Sequence, residues 1–149
     1  MSVRLEELWR CFQGVVPSLM ATSDAEGVPN VAYVSQVHCL DAGHVALSRQ
    51  FFNKTTRNLA QNPRARVLLY DPLTFEAWQL KLRHERCETE GPLFEAMKLR
   101  IDAIAAHTGM TGVFRLIGAD VCHKGVSAEP RLAPRAPRRW DDRHTITRR

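Results

Sequence analysis

The sequence predicts a mainly β protein in which six antiparallel strands form a small closed or split β-barrel with flanking helices. Three consecutive strands are joined, each to the next, by short turns that contain glycine. These turns lie at residues 24–27 and 41–43, and the arrangement is typical of an antiparallel meander. Apolar and polar side chains alternate in a later strand, so one of its faces is expected to be buried. Six antiparallel strands are too many for a doubly wound sheet.

The first half of the chain is expected to contain one helix and three strands. Leu5, Leu8 and Phe12 fall on one face of a short amphipathic helix over residues 3–12. Small or apolar residues then run up to the first turn, which suits a buried strand. The three strands are expected at residues 15–23, 28–40 and 44–48.

Proline and glycine divide the second half of the chain. A helix that starts at Asn53 is expected to end near Asn62-Pro63, because proline stops helical propagation. Gly91-Pro92 opens a second helix, in which Met97 and Ile101 belong to an apolar stripe with helical spacing. These helices are expected at residues 53–61 and 92–106, and the last three strands at residues 66–70, 75–90 and 112–123.

The positive charge of the chain is concentrated at its C-terminal end. The 149 residues carry a formal net charge of +5, of which +4 belongs to residues 127–149, with seven arginines against three acidic residues. That segment contains three prolines and almost no apolar periodicity, so we expect a disordered Arg/Pro-rich tail. The first 126 residues are nearly neutral, and a nucleic-acid partner is therefore not expected.

Cysteine and histidine spacing gives no sign of a disulfide framework or a metal site. The four cysteines, Cys11, Cys39, Cys87 and Cys122, are widely scattered, and the six histidines form no His-x-x-x-His pair. Neither a signal peptide nor an apolar run of membrane-spanning length is present in the sequence. We expect a cytoplasmic protein with reduced thiols, no bound metal and no membrane association.

The start of the first α-helix is a candidate anion site. Asn53 is a potential N-cap, and Lys54 and Thr55 follow in the first turn. Free backbone N–H groups at a helix N-terminus, together with an ammonium and a hydroxyl, suit a phosphate. The same residues also fit a capped surface helix, so the local pattern leaves both interpretations open.

The order of four segments resembles the pyridoxamine 5'-phosphate oxidase-like family of FMN-binding split barrels. These segments are Pro29-Asn-Val-Ala-Tyr-Val-Ser-Gln36, Leu47-Ser48, Asn53-Lys54-Thr55 and Asn62-Pro63, and the resemblance extends over residues 14–126. It implies an FMN-binding split-barrel domain over residues 1–126 with the tail at 127–149. It also implies a homodimer whose cofactor site lies at the subunit interface.

The resemblance assigns roles to individual positions. Val34, Ser35 and Gln36 are expected along the isoalloxazine ring, and Leu47 and Ser48 beside the ribityl-phosphate region. The phosphate is expected at Asn53, Lys54 and Thr55. The family usually places two cations at this helix start, whereas this chain has the neutral Asn53, and either Arg49 or Arg57 is a candidate for the second charge.

The function implied by the resemblance is that of an FMN-dependent oxidoreductase acting on a small substrate, with no catalytic residue identified. Residues 83–126 lack a match to the Tyr, Arg and Ser set that holds the vitamin in true oxidases, so oxidation of vitamin B6 is not expected. Two alternatives remain: a non-catalytic flavin- or haem-binding sensor or regulatory domain, and a deazaflavin-dependent reductase. The alternative cofactors are accordingly deazaflavin and haem.

Overall fold

The computed structural model of the protein describes residues 3–51, 53–125 and 129–132. Within these residues the chain forms eight strands, two α-helices and one N-terminal 3-10 helix. The elements follow one another as the 3-10 helix (Leu5–Phe12), β1 (Ser18–Ser23), β2 (Pro29–Val34), β3 (Val37–Cys39), β4 (His44–Arg49), α1 (Asn53–Gln61), β5 (Arg64–Tyr70), β6 (Ala77–Glu88), α2 (Pro92–His107), β7 (Gly118–Lys124) and β8 (Glu129–Leu132).

Seven of the strands form one antiparallel sheet in the order β2-β1-β5-β6-β7-β4-β3, and β8 pairs with β6. β2 and β3 lie at opposite ends of this order, although only Ser35 and Gln36 separate them in the chain. The sheet must therefore curl until its two ends adjoin. The result is a half-barrel, which confirms the predicted antiparallel barrel with flanking helices.

The predicted number of six strands is wrong, because two strands were not anticipated. The expected strand at 28–40 is divided at Ser35-Gln36 into β2 and β3. β8 lies within the segment expected to be disordered, and it pairs with Ala77–Gln79 at the start of β6. Its Pro130 is compatible with an outer strand, where a missing N–H is tolerated. The rest of the expected tail, residues 127–128 and 133–149, lies outside the described residues.

The largest shifts of a strand start are those of β1 and β7, which begin three and six residues later than predicted, and turn-forming residues explain both differences. β1 starts at Ser18 instead of residue 15, after Gly14 with a φ of +73° and Pro17, which has no N–H for the sheet. β7 starts at Gly118 instead of residue 112. Turns occupy the preceding segment, where Gly112 has a φ of +84°.

The core lies on the concave side of the sheet. Buried side chains from the strands, including Met20, Val34 and Leu47, meet Leu5 and Phe12 of the 3-10 helix. α2 packs on the opposite side of the sheet, where it forms a second apolar cluster. That cluster contains Ala46, Met97, Leu116 and Ala119.

Among the described residues, no helix has both the length and the apolar character needed to cross a bilayer.

Two side-chain hydrogen bonds attach α1 to the sheet. Nδ2 of Asn30 on β2 donates to Oγ1 of Thr55 over 3.0 Å, and Nδ2 of Asn58 donates to Oγ1 of Thr22 on β1 over 3.1 Å. Thr55 and Asn58 are both buried. The polar inner face of this short helix is thus satisfied by the sheet, which fixes the position of the helix start.

Candidate functional site

The junction between β2 and β3 is held against the end of β4 by a reciprocal pair of hydrogen bonds. The backbone N–H of Gln36 donates to Oγ of Ser48 over 3.1 Å, and the backbone N–H of Ser48 donates to the Gln36 carbonyl over 3.0 Å. Three residues that the sequence singled out, Ser35, Gln36 and Ser48, are therefore brought together.

A cavity of about 260 Å³, the junction cavity, opens beside this pair of hydrogen bonds. Its lining combines aromatic rings with three hydroxyls and one amide, a composition typical of small-molecule sites. The residues concerned are Tyr33, Ser35, Ser48, Gln50, Phe51 and Phe114. Ser35 and Ser48 were predicted as site residues, whereas Gln50, Phe51 and Phe114 were not. The spacing of Ser48 and Gln50 could have identified Gln50, because alternate strand residues share a face.

Gln50 has no hydrogen-bond partner for its side-chain amide among the described residues. Its side chain is only 8% exposed, and both Oε1 and Nε2 are buried. Oε1 of the buried Gln36 likewise lacks a partner within the described part of the chain. A buried polar group without a partner costs roughly 1–3 kcal/mol. The amide of Gln50 is therefore suited to a ligand that supplies both a donor and an acceptor.

The helix start is divided between a buried side and an exposed side. Asn53, the predicted cap, is instead the first residue of α1. Asn53 and Lys54 are exposed. Thr55 is buried, and its hydroxyl accepts the hydrogen bond from Asn30. Lys54 is thus the exposed cation at the start of this helix.

Lys54 lines a second cavity, of about 280 Å³, which we call the α1 cavity. Arg57 lines it too, together with Asp24 and Glu26 from the turn between β1 and β2. The structure therefore places Lys54 in a different cavity from Ser35 and Ser48. The two carboxylates oppose an anion there, whereas Lys54 and Arg57 attract it.

Arg49, one of the two candidates for the second cation of the phosphate site, is paired with Asp120. Its Nε donates to Oδ2 of Asp120 over 2.9 Å, and its Nη2 lies 2.5 Å from Oδ1. Nε2 of His84 lies 2.8 Å from the same Oδ1. Burial alone would raise the pKa of Asp120, but the hydrogen bonds from His84 and Arg49 hold that pKa below its usual value. Arg57 is therefore the remaining candidate.

Val34 and Leu47 belong to the core and present no side chain to a ligand. Both are fully buried in the main apolar cluster. Their predicted role beside a ligand is thus restricted to their backbone groups. No set of three or more histidine, cysteine or acidic side chains in the described part of the chain is arranged to hold a metal ion.

The curled antiparallel sheet with its flanking helices is that of a split-barrel protein. The family model described as pyridoxamine 5'-phosphate oxidase matches residues 5–121. The chain belongs to the pyridoxamine 5'-phosphate oxidase family. An uncharacterised protein of Methanocaldococcus jannaschii is 43% identical over 47 residues, which are 30% of this chain and 32% of that protein. The match thus spans about a third of the curated relative.

Solved structures with the same fold include proteins with three different cofactor associations. An FMN-binding protein from Syntrophomonas wolfei has a TM-score of 0.70 at 18% identity, covering 87% of each chain. An F420 reductase has a TM-score of 0.57 at 14% identity, covering 78% of this chain and 91% of its own. The haem storage protein HutZ from Vibrio cholerae has a TM-score of 0.51 at 18% identity, covering 88% and 93%. At these identities the likeness establishes the fold alone.

Proposed function

We propose that the protein is an FMN-binding flavoprotein that carries out oxidation and reduction of a small substrate, with the flavin ring in the junction cavity. The observation that carries the proposal is the buried amide of Gln50, which has neither donor nor acceptor partner among the described residues. The polar edge of an isoalloxazine ring presents carbonyl acceptors beside an N–H donor. One amide can therefore satisfy both of its groups on that edge, and aromatic neighbours suit the flat ring.

The other predicted site residues take roles that fit their positions. Ser35 lines the cavity and Gln36 is buried beside it, so both are suited to contact the ring, with Val34 contributing backbone groups. Ser48 and the backbone of Leu47 would contact the ribityl chain. These roles follow the expectation from the family resemblance, and the reciprocal hydrogen bonds between Gln36 and Ser48 give them a fixed relative position.

The phosphate of FMN is assigned to the start of α1. Lys54 and Arg57 supply the two cations, and the helix N-terminus beginning at Asn53 contributes backbone N–H groups. Thr55 supports this site by fixing the helix to Asn30, not by facing solvent. Arg57 thus takes the place of the second charge that Asn53 lacks.

Bound FMN would supply the hydride or electron transfer, and the protein would bind, orient and shield it. No histidine, cysteine or carboxylate is among the described residues that line the junction cavity. The proposal therefore assigns no general acid or base.

A homodimer is part of the proposal. Val31 and Tyr33 on the outer face of β2 are 63% and 73% exposed, and they lie opposite Ala21 and Leu19 of β1. Gln79 on the same face is buried, and its Oε1 has no partner among the described residues. A second copy that covers this face would bury the apolar side chains. Tyr33 also lines the junction cavity, so the flavin would lie at the interface.

We place this homodimer in the cytoplasm. Burial raises the pKa of Cys11 to about 11 and that of Cys122 to about 12, so both thiols stay protonated at neutral pH. All the cysteines of the described residues are free. Unreactive, reduced thiols suit a compartment in which disulfides are rare.

The cofactor is tested on the freshly purified full chain. We expect a flavin absorption spectrum and release of FMN on denaturation. For protein stripped of its cofactor, we expect quenching of FMN fluorescence on titration. Lys54→Ala should weaken FMN binding about tenfold or more, because a charge-assisted bond to phosphate contributes about 1.5–3 kcal/mol. Arg86→Gln is the control, since Arg86 is paired with Glu88 on β6.

Four outcomes would contradict the proposal. A colourless protein that takes up no added FMN removes the flavin assignment. A haem absorption band, or displacement of FMN by deazaflavin at equal concentration, assigns the site to one of the alternative cofactors. If FMN binds but no nicotinamide cofactor or other donor reduces it, the protein is a flavin-binding sensor and not an oxidoreductase.

A further inference from the structure

The turn between β5 and β6 holds two large apolar side chains in water. Leu73 is 73% exposed and Phe75 is 78% exposed. Phe75 also has a φ of +58°, a left-handed backbone conformation that is uncommon for residues other than glycine. We call residues 71–76 the hairpin tip. Strained backbone is concentrated at functional sites, and these two exposed side chains contribute little to the core of their own chain.

The buried carboxylate of Asp71 holds the hairpin tip in a fixed conformation. Its Oδ1 accepts hydrogen bonds from the backbone N–H groups of Leu73 and Thr74, over 2.9 and 3.2 Å. Its Oδ2 accepts one from Nε of Arg10 over 2.7 Å. The backbone N–H of Phe75 donates to the Asp71 carbonyl over 2.9 Å. Because the tip is already ordered, little conformational entropy is lost when a partner covers it.

The hairpin tip and the junction cavity lie at the same end of the sheet. Tyr33, which lines the cavity, is opposite Leu19 of β1, and Leu19 is also opposite Leu68 of β5. From this row β2 runs toward Ser35 at the junction, and β5 runs in the same direction toward the tip. Three strand spacings, or about 14 Å, separate β2 from β6. The residues of the tip are accordingly not among those that line the cavity of their own chain.

We propose that the hairpin tip of each protomer docks over the junction cavity of a second copy of this chain, with Phe75 against the partner's Phe51 and Tyr33. This contact rests on the homodimer and the flavin position of the proposed function. Sheets that pack face to face keep their strands nearly aligned. A two-fold axis parallel to the strands reverses the strand order, so it places the tip of one protomer over β2 of its partner. The same contact then occurs twice in the dimer.

The two surfaces match in polarity and in charge. Tyr33 and Phe51, which line the cavity, are 73% and 67% exposed, and none of the described lining residues is charged. The ring of Phe75 thus meets an uncharged aromatic surface. Glu76 of the tip and Arg115 beside the cavity lining are exposed, and neither forms an ion pair with the described residues. Opposite charges at the edge of the contact favour this orientation of the partner.

Photo-cross-linking of the full chain tests the contact. Phe75 is replaced by p-benzoylphenylalanine, and the cofactor-free protein is irradiated at a concentration at which sedimentation velocity shows a dimer. We expect a covalent dimer on a denaturing gel, with the adduct mapped by mass spectrometry to Tyr33, Phe51 or Phe114. The same probe at Leu99, which is 73% exposed on α2, is the matched control and should give no covalent dimer.

A second variant removes the ring and keeps the turn. Phe75→Asn is suitable because asparagine tolerates a positive φ. Its dimer dissociation constant should be at least tenfold higher than that of the parent, whereas Leu99→Gln should leave this constant unchanged.

The possible outcomes separate this contact from the proposed function. Absence of a covalent dimer, adducts outside the cavity lining, or a Phe75→Asn dimer as tight as the parent would overturn the docking of the tip and leave the homodimer and the flavin assignment standing. A parent that is monomeric at every concentration would overturn both the docking and the homodimer. The expected adduct in a protein that takes up no FMN would support the docking and remove the flavin.

Discussion

Gln36 and Ser48 exchange two hydrogen bonds across the junction of β2 and β3, one through the Ser48 hydroxyl and one through the Ser48 N–H. Both residues are almost completely buried. The pair joins the chain where it passes from one end of the sheet order to the other, so it fixes the closure of the half-barrel. It also fixes one wall of the junction cavity.

Ser48→Ala should destabilise the protein because it leaves the buried N–H of Gln36 without its acceptor. The expected loss in the free energy of unfolding is about 1–3 kcal/mol, measured by urea denaturation of cofactor-free protein. Ser35→Ala is the matched control, since no protein hydrogen bond of the Ser35 hydroxyl is present in the described residues. Equal losses in the two variants would mean that the Gln36–Ser48 bond does not stabilise the junction.

Gln50→Leu should change stability and cofactor binding in opposite directions. In cofactor-free protein the variant removes a buried amide that lacks partners, so the free energy of unfolding should rise by about 1–3 kcal/mol. FMN affinity, measured by fluorescence titration, should fall about tenfold or more. Gln13→Leu, at an exposed position, serves as the control and should change neither quantity appreciably. A Gln50→Leu variant that binds FMN as well as the parent does would remove the amide from the proposed site.

The sequence predicted the elements that depend on local pattern and missed those that depend on distant contacts. Both α-helices lie where proline, glycine and helical spacing placed them, and the predicted bounds of α1 agree with the structure. The division of the strand at Ser35-Gln36 depends on Ser48, twelve residues away from Gln36. No local periodicity encodes a bond of that kind.

Within the candidate site too, the sequence identified some residues and missed those whose role depends on packing or on distant contacts. Ser35 and Ser48, which the sequence singled out, both line the junction cavity, and their contact with a flavin stays a prediction. The unpaired state of Gln50 follows from packing around it, which a residue pattern does not specify. Arg49 looked like a free cation until the fold paired it with Asp120, which is 71 residues further along the chain. A sequence shows which residues are charged, but it does not show which ion pairs the fold will form.

Asp120→Asn should be strongly destabilising at neutral pH, by about 3 kcal/mol, because it removes the buried carboxylate that compensates the partly buried Arg49. The pKa of Asp120 is lower in the folded protein than in the unfolded chain. Its contribution to stability is therefore fully present above the unfolded pKa, about 3.9, and is lost as pH falls toward the folded pKa. Urea denaturation between pH 2.5 and 7 measures this slope.

The parent protein should lose stability steeply below about pH 4, and Asp120→Asn should show a shallower loss over the same interval. Asp102→Asn provides the control, since Asp102 pairs with Lys98 on the exposed side of α2. Its effect on the free energy of unfolding should be small at every pH. Parallel curves for the parent and Asp120→Asn would show that the pairing of Asp120 contributes nothing to the acid dependence.

Val31→Asp should convert the proposed homodimer into monomers, because it places a charge on the exposed apolar face of β2. Sedimentation velocity of the full chain over a range of concentrations measures the change. Leu99→Asp, on the exposed side of α2 and 73% exposed, is the matched control and should remain dimeric. If the flavin lies at the interface, Val31→Asp should also weaken FMN binding, whereas Leu99→Asp should not. A parent protein that is monomeric at every concentration would contradict the homodimer, and a monomeric Val31→Asp variant with unchanged FMN affinity would place the flavin within one subunit.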